Sequence, residues 1–411
     1  MTHRTRNAAA VAILVIFISA CSQTAEPEAK AAIPDANAIA LNSIIVDTHV
    51  DVPYRLVNSL ADISEATDDG DFDYPRAVSG GLNAPFMSIY TPSILEAEGR
   101  SREVAEELIN MVEGFAQQWP DKFAIARSPA DVRNQFEIGI ISMPLGMENG
   151  SPIEGDLANL QHFHDRGIRY ITLTHGLSNH ISDSSYDSNR QWNGLSDFGA
   201  EVVAEMNRVG IMVDISHVSD DAFWEVMEIT NAPAIASHSS ARHFTPGFER
   251  NMSDEMIIAL AKNGGVIQIN FGSGFITAEA QEYSAARREA NALFTAEHPE
   301  LSESEIRKEF PAIYEIDHGR FPYSSLDNVL DHFDHVVALT SIDHVGIGSD
   351  YDGVGDSLPI DLKDVSAYPT LIQGLLDRGY SEDDIQKILN GNILRVWQAV
   401  ADHAAAISGK T

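Results

Sequence analysis

Five side chains able to hold a metal ion stand where short apolar runs end: His49 with Asp51, then Glu148, His217 and His238. The runs are Ile44-Ile45-Val46, Ile140 to Leu145, Ile211 to Ile215, and Pro233 to Ala236. The donors are nitrogen and oxygen of borderline hardness with no thiolate among them, which fits zinc, with cobalt or manganese as alternatives. A pair of such ions would lower the pKa of a bridging water and polarise a carbonyl, the chemistry of two-metal hydrolysis. His49-x-Asp51 is the sharpest local signal, because residues i and i+2 of a strand face one side and can grip one ion. It sits in Asp47-Thr48-His49-Val50-Asp51-Val52-Pro53, polar groups where a buried strand should be apolar, and burying them unpaired is costly. Glu148 has two oxygens with which to bridge two ions. His217 and His238 end consecutive strands, which makes them neighbours.

Three further residues suit the chemistry around such a centre. Asp350 ends an apolar run in Gly348-Ser349-Asp350-Tyr351-Asp352-Gly353, where a carboxylate can shuttle a proton between nucleophile and leaving amine. A turn-forming role before Gly353 explains Asp352 better than Asp350. His175, at another run's end, is placed to donate a hydrogen bond to a developing oxyanion. Arg250 can clamp a substrate carboxylate, although taken alone it would pass for a surface arginine. No Gly-x-Ser-x-Gly elbow and no glycine-rich phosphate loop opening a helix is found, which leaves serine-hydrolase and nucleotide-binding readings without support.

These residues need a frame that gathers the ends of separate strands at one rim. From Ile44 strand and helix patterns alternate, the mark of parallel βαβ units. Expected strands cover 44–46, 85–90, 140–145, 168–174, 211–215, 233–236, 266–271 and 344–349. That count predicts an α/β fold, a (β/α)8 TIM-type barrel, whose active site is built at the carboxyl ends of its strands. A long amphipathic helix is expected over 94–119. Further helices are expected over 156–166, stopped by Gly167, and over 196–209, closed by Gly210. The polar, helix-forming stretch 275–322 is too long for an ordinary loop and reads as a helical insertion after strand 7. It is either a cover for the barrel mouth or a peripheral decoration.

The first twenty residues stand apart. Arg4 and Arg6 precede an apolar run from Val11 to Ile18, too short to span a bilayer with normal margins, as in a signal peptide. The run ends Ile18-Ser19-Ala20-Cys21, which resembles the lipobox of bacterial lipoproteins and predicts lipidation at Cys21. Ser22 beside it favours the outer membrane over the inner, and a plain secretory signal is the alternative. Cys21 is the single cysteine, so no disulfide or thiol nucleophile is available elsewhere. Residues 21–43 read as a flexible tether, 44–400 as the catalytic barrel, and 401–411 as a C-terminal tail. A net charge of −34 excludes nucleic acid as a partner and leaves a lipid anchor as the membrane contact.

Asp47 to Pro53, Tyr170 to His175, Asp214 to Ser219, Ser237 to Ala241 and Gly346 to Val354 together resemble the membrane (renal) dipeptidase family. The resemblance extends from Ile44 to Val400 and takes in Val365 to Pro369 and Asn390 to Val396. It implies a two-zinc barrel hydrolase acting on dipeptides, often with tolerance of a C-terminal D-residue. Carried over by residue, His49 and Asp51 would bind one ion, His217 and His238 the other, and Glu148 would bridge. His175 would steady the tetrahedral intermediate, Arg250 take the C-terminal carboxylate, and Asp350 move the proton beside the free amine. A homodimer is a family expectation. The segment Arg242 to Phe248 departs from better-known members. Two alternatives stay open: a hydrolase of another amide or ester, such as an N-acyl amino acid or lactone, and a non-catalytic binding lipoprotein.

Overall fold

The computed structural model describes residues 1–3, 8, 10, 12 and 35–409. Cys21, most of the expected signal peptide, and the tether up to residue 34 lie outside the described residues. Eight parallel strands run in sequence order around one sheet: β1 Val46–Val50, β2 Ala84–Tyr90, β3 Leu145–Glu148, β4 Ile168–Thr172, β5 Met212–Asp214, β6 Ile235–Ser239, β7 Val266–Ile269 and β8 Val345–Ile347. Between β8 and β1 the ring is bridged just past the strands, where Asp51 N donates to Tyr351 O at 2.8 Å and Asp350 N to His49 O at 3.1 Å. The result is a nearly closed barrel of the TIM type. Almost every strand residue is buried, as in a sheet covered on one side by helices and filled on the other by side chains.

Register is regular except at three places, two of which carry candidate ligands. The pairing of β1 with β2 shifts between Asp47 and Val50, around His49, and that of β6 with β7 between Ala236 and Ser239, around His238. A bulge bends a strand and re-aims a side chain, so both imidazoles are turned by local irregularity rather than by ideal pleat alternation.

Several expected boundaries move. The apolar run 140–145 is not one strand, for it divides at Pro144. Ile141–Met143 pairs with Phe123–Ile125 in a separate two-stranded sheet, and only Leu145–Glu148 enters the barrel. Proline has no N–H to donate to a ladder, which places the break there. The helix expected over 94–119 is interrupted by Gly99 at φ 65°, giving Ile94–Glu98 and Ser101–Gln118. The tether does not reach residue 43, because Ala36–Asn42 is a helix. Its cap is Asp35, whose carboxylate accepts from Asn37 N at 3.0 Å, and its Ile39 and Ala40 join the main core. Nor do residues 401–408 form a loose tail: they continue the helix Asn392–Ser408, with Ala404 buried. That helix seats Trp397 against Phe86 at 5.3 Å between ring centres.

The 275–322 stretch folds as Ser273–Ile276, Ala278–Glu297 and Glu303–His318, the last opened by a capping box from Ser302 to Glu305. It has a small core of its own around Ile306, Phe310 and Tyr314. Among the described residues no helix is long and apolar enough to cross a membrane.

His332, in the helix Leu326–Leu339, ties the insertion to the barrel. Its Nδ1 accepts from Ala241 N at 3.0 Å and its Nε2–H donates to Ile276 O at 3.0 Å, so the neutral ring fits and the cation does not. Burial depresses its pKa to about 4. Above pH ~6.5 folded and unfolded chains are both neutral at this ring; below it only the unfolded chain takes up the proton. Stability is therefore lost as pH falls from about 6.5 towards 4, by roughly 3 kcal/mol in total. In urea unfolding, His332→Asn, which keeps an acceptor for Ala241, should show a clearly smaller loss between pH 6.5 and 4.5 than the parent. Equal losses would remove His332 as the cause.

Candidate metal centre

Glu148 is the hub. Its Oε1 lies 3.2 Å from His217 Nε2, 3.4 Å from His238 Nε2 and 3.4 Å from His175 Nε2. Its Oε2 lies 3.4 Å from His49 Nε2, and that nitrogen is also 3.4 Å from Asp51 Oδ2. All six side chains sit at the carboxyl rim of the barrel, contributed by β1, β3, β5 and β6 or by the turns that follow them and β4. Two ion-sized groups overlap on Glu148: His49, Glu148 and His238 on one side, Glu148, His175 and His217 on the other. Asp350 belongs to the first side, grouped with His49 and Asp51.

The imidazole tautomers are set from behind. Tyr170 Oη donates to Thr48 O at 2.9 Å and therefore accepts from His49 Nδ1–H at 2.8 Å. Ser237 Oγ donates to Asp214 Oδ2 at 2.6 Å and accepts from His238 Nδ1–H at 2.7 Å. Both rings then present an Nε2 lone pair to the cluster, the arrangement outer partners give to metal-ligating histidines. Gly146 makes the first of these contacts available, since a Cβ there would lie 1.9 Å from Tyr170 Cζ.

Whether a cation suits this cluster can be judged from its unpaired atoms. His49 Nε2 and Asp51 Oδ1 are buried without a hydrogen-bond partner, and His217 Nε2 faces His238 Nε2 at 2.9 Å. A buried imidazole nitrogen and a carboxylate oxygen left without partners are costly in a dry interior unless a cation satisfies them. The acid–base balance agrees. Burial opposes charging His49, but Tyr170, Glu148 and Asp51 outweigh it and hold its pKa well above normal. Burial, reinforced by Arg250 at His217 and by His49 at His238, holds those two rings neutral. Glu148 stays ionised despite its burial because His49 and His175 surround it. A proton held on His49 by anions is a proton that a metal ion can replace. The residues fit a metal.

Backbone strain collects at the same rim. His217 and Asp350 adopt φ of 69° and 65°, left-handed values that cost a non-glycine residue about 1–3 kcal/mol. Gly353 is required beside them: a Cβ would lie 2.2 Å from both Asp350 Oδ1 and Asp51 Oδ2. Asn270 Nδ2 donates to Asp350 Oδ2 at 2.7 Å, which leaves Oδ1 as the free oxygen. Burial, with Asp51 and Glu148 nearby, pushes the Asp350 carboxyl up to about 7. Asp352 is the turn residue expected, at φ 67°, and its side chain is also an anchor, 3.1 Å from Arg55 Nε and accepting from Asp71 N at 2.6 Å.

The centre opens into a cavity of about 730 Å³ whose wall includes Asp51, Glu148, His175, His217 and Asp350. His175 packs against Tyr90 at 4.7 Å. Arg250 is buried beside the end of β6. Its Nη1 donates to Ser239 Oγ and its Nη2 to His238 O, both at 2.7 Å, while Nε has no partner. The insertion is not peripheral, because Phe275, Gln281, Ser284, Arg287 and Arg288 line the cavity mouth. Tyr170, Asp214 and Asn270 escape sequence reading because each acts on a residue from another strand, and Ser237 because its role depends on Asp214 across the sheet. The one available signal was a polar residue inside an otherwise apolar strand.

Tyr170→Phe tests the outer layer. Without the phenol oxygen His49 loses the partner that fixes its tautomer, and metal affinity should drop about 10–100-fold while the fold is kept. Competition against a fluorescent chelator reads this directly; unchanged affinity would show that Tyr170 orients nothing.

Residues 33–411 match the family described as membrane dipeptidase (peptidase family M19). Dipeptidase aclJ of Aspergillus oryzae is 34% identical over 343 residues, covering 82% of this chain and 71% of that protein. The crystal structure of the probable dipeptidase PvdM from Pseudomonas aeruginosa matches with a TM-score of 0.78 at 26% identity, over 90% of this chain and 98% of that one. The solved dipeptidase AC, a metallo peptidase of family M19, matches with a TM-score of 0.72 at 25% identity, over 87% and 98% of the two chains. With a metal-ready cluster at the rim of such a barrel, the chain is a metal-dependent hydrolase of peptide bonds and belongs to the membrane dipeptidase family.

Proposed function

We propose that this dipeptidase uses two zinc ions, one held by His49 and Asp51, the other by His217 and His238, with Glu148 shared between them. The observation that carries the reading is the pair of oxygens on Glu148, Oε2 facing His49 and Oε1 facing His217 and His238, at 3.2–3.4 Å. When bound, such a pair supplies an activated water and electrophilic polarisation of the scissile carbonyl. The protein's own groups do the rest. His175 Nε2 donates a hydrogen bond to the oxygen that gains charge as the carbonyl is attacked. Asp350 accepts a proton at Oδ1 and returns it to the departing amine, beside the substrate's free amino group. Arg250, through its unpartnered Nε, receives the C-terminal carboxylate.

A cavity of about 730 Å³ suits a very short peptide held at both ends by charge. Tolerance of a D-residue at the C-terminal position is part of the proposal. Export and attachment through Cys21 complete it on sequence grounds alone.

The test is metal analysis followed by turnover of a dipeptide panel with both stereoisomers at each position. Chelation should abolish turnover, and zinc at two ions per chain should restore it. Full turnover by metal-free protein would overturn the reading. Arg250→Ala should raise KM sharply for dipeptides, and indifference to it would favour a different amide or ester as substrate.

A further inference from the structure

Acidic residues outnumber basic ones 61 to 27 in this chain, and several of its arginines are paired with carboxylates. Arg76 pairs with Asp73, Arg242 with Asp220, and Arg378 with Asp331. Arg287 and Arg288 differ. They are consecutive on the insertion helix Ala278–Glu297, both line the cavity, and among the described residues neither forms an ion pair with a carboxylate. Arg287 holds its guanidinium 5.7 Å over Phe321, and Arg288 is exposed. Arg55, the other arginine on the wall, is already engaged with Asp352.

The two free cations stand on the side from which the C-terminal half of a substrate would be approached. Arg250 lies 5.4 Å over Phe275, in the short helix Ser273–Ile276 that leads into the helix bearing Arg287 and Arg288. Tyr186 and Phe248 continue the same wall, their rings 6.0 Å apart, with Phe248 5.9 Å from Phe275. Burial raises the Tyr186 phenol, and Arg250 and Arg288 both act to lower it, so the two guanidinium groups share a neighbour.

Resting on the dipeptidase reading, we infer that Arg287 and Arg288 select substrates whose C-terminal residue carries an anionic side chain, a glutamyl or aspartyl residue. Arg250 takes that residue's main-chain carboxylate, and the insertion helix takes its side-chain carboxylate. Charge-assisted contacts of this kind reward a carboxylate over its neutral amide isostere. They stand at a solvent-facing rim, so salt weakens them.

The experiment compares kcat/KM of the metal-loaded enzyme for Ala-Glu against Ala-Gln, in both C-terminal configurations, and for Glu-Ala against Gln-Ala. The C-terminal pair should favour Glu by about tenfold at low ionic strength. That ratio should shrink in Arg288→Gln and approach one in Arg287→Gln/Arg288→Gln. The N-terminal pair should show no preference. A ratio near one in the parent, a ratio that survives in the double variant, or a preference for the N-terminal acid would overturn the inference. If no dipeptide is cleaved, the dipeptidase reading is what fails. Calorimetric binding of free glutamate against glutamine to the same proteins then reads the arginine contact independently, with the same tenfold expected and a ratio near one against it.

Discussion

In Glu148→Gln, metal content and turnover are expected to collapse together. Four imidazole Nε2 atoms lie 3.2–3.4 Å from the two oxygens of this one carboxylate. The amide keeps the shape and removes the charge. It also replaces one acceptor oxygen with an NH2 donor that cannot ligate. Loss of an outer partner of a ligand costs about 10–100-fold in metal affinity, so loss of the shared ligand should exceed a hundredfold. Turnover should fall to the level of metal-free protein. The proton balance shifts as well: Glu148 is one of the carboxylates that hold His49 protonated, and its removal leaves Asp51 as the other. Elemental analysis after dialysis, with turnover of a neutral dipeptide, reads both effects. A variant that keeps two ions per chain and most of its activity would show that Glu148 is not shared between metals.

The placement of this centre was legible in the chain because polar side chains at the ends of apolar runs are rare without cause. His49, Asp51, Glu148, His217 and His238 all appear where strand patterns stop, and the barrel brings those stops to one rim. The local geometry was less legible. His49 and Asp51 do face one another, but not by simple strand alternation. His49 sits in a shifted register, and Asp51 stands just before the helix Val52–Asn58 without its side chain capping it. A left-handed backbone at His217 and Asp350 was hard to read in advance, because aspartate and histidine enter that region more often than most residues but far less routinely than glycine.

What supports the centre from behind comes from distant parts of the chain. Tyr170 reaches His49 across 121 residues of sequence, and Asp47 accepts from Tyr368 across 321. Such pairs are decided by the closed barrel, not by local pattern. The helix Ala36–Asn42 was hidden for a related reason: a seven-residue segment has little helical stability alone and forms because Ile39 and Ala40 find a core to pack against. The insertion at 275–322 could be seen as long and helical. Its position over the cavity depends on tertiary contacts such as the His332 link, which no spacing rule supplies.

Asp350→Asn separates proton transfer from metal binding, and the expected outcome is lost turnover with two ions retained. Asn270 Nδ2 fixes Asp350 Oδ2, and the freed Oδ1 is the oxygen that must carry the proton. A carboxyl pushed up to about 7 by burial exchanges a proton near neutral pH, which suits a group that acts first as base and then as acid. Cations bound beside it would favour its ionised form and so its first role. The asparagine side chain has the same shape and is unable to exchange a proton, so kcat should fall about 10²–10⁴-fold while KM changes little. Asp350 also groups with His49 and Asp51 closely enough to serve as a ligand. The metal content of the variant decides between the roles. Two ions with no turnover marks a proton carrier, whereas one ion with no turnover makes Asp350 part of the metal site and leaves proton transfer to His175. The left-handed backbone at this position makes the distinction sharper, because asparagine tolerates that conformation as well as aspartate does and the substitution should leave folding intact.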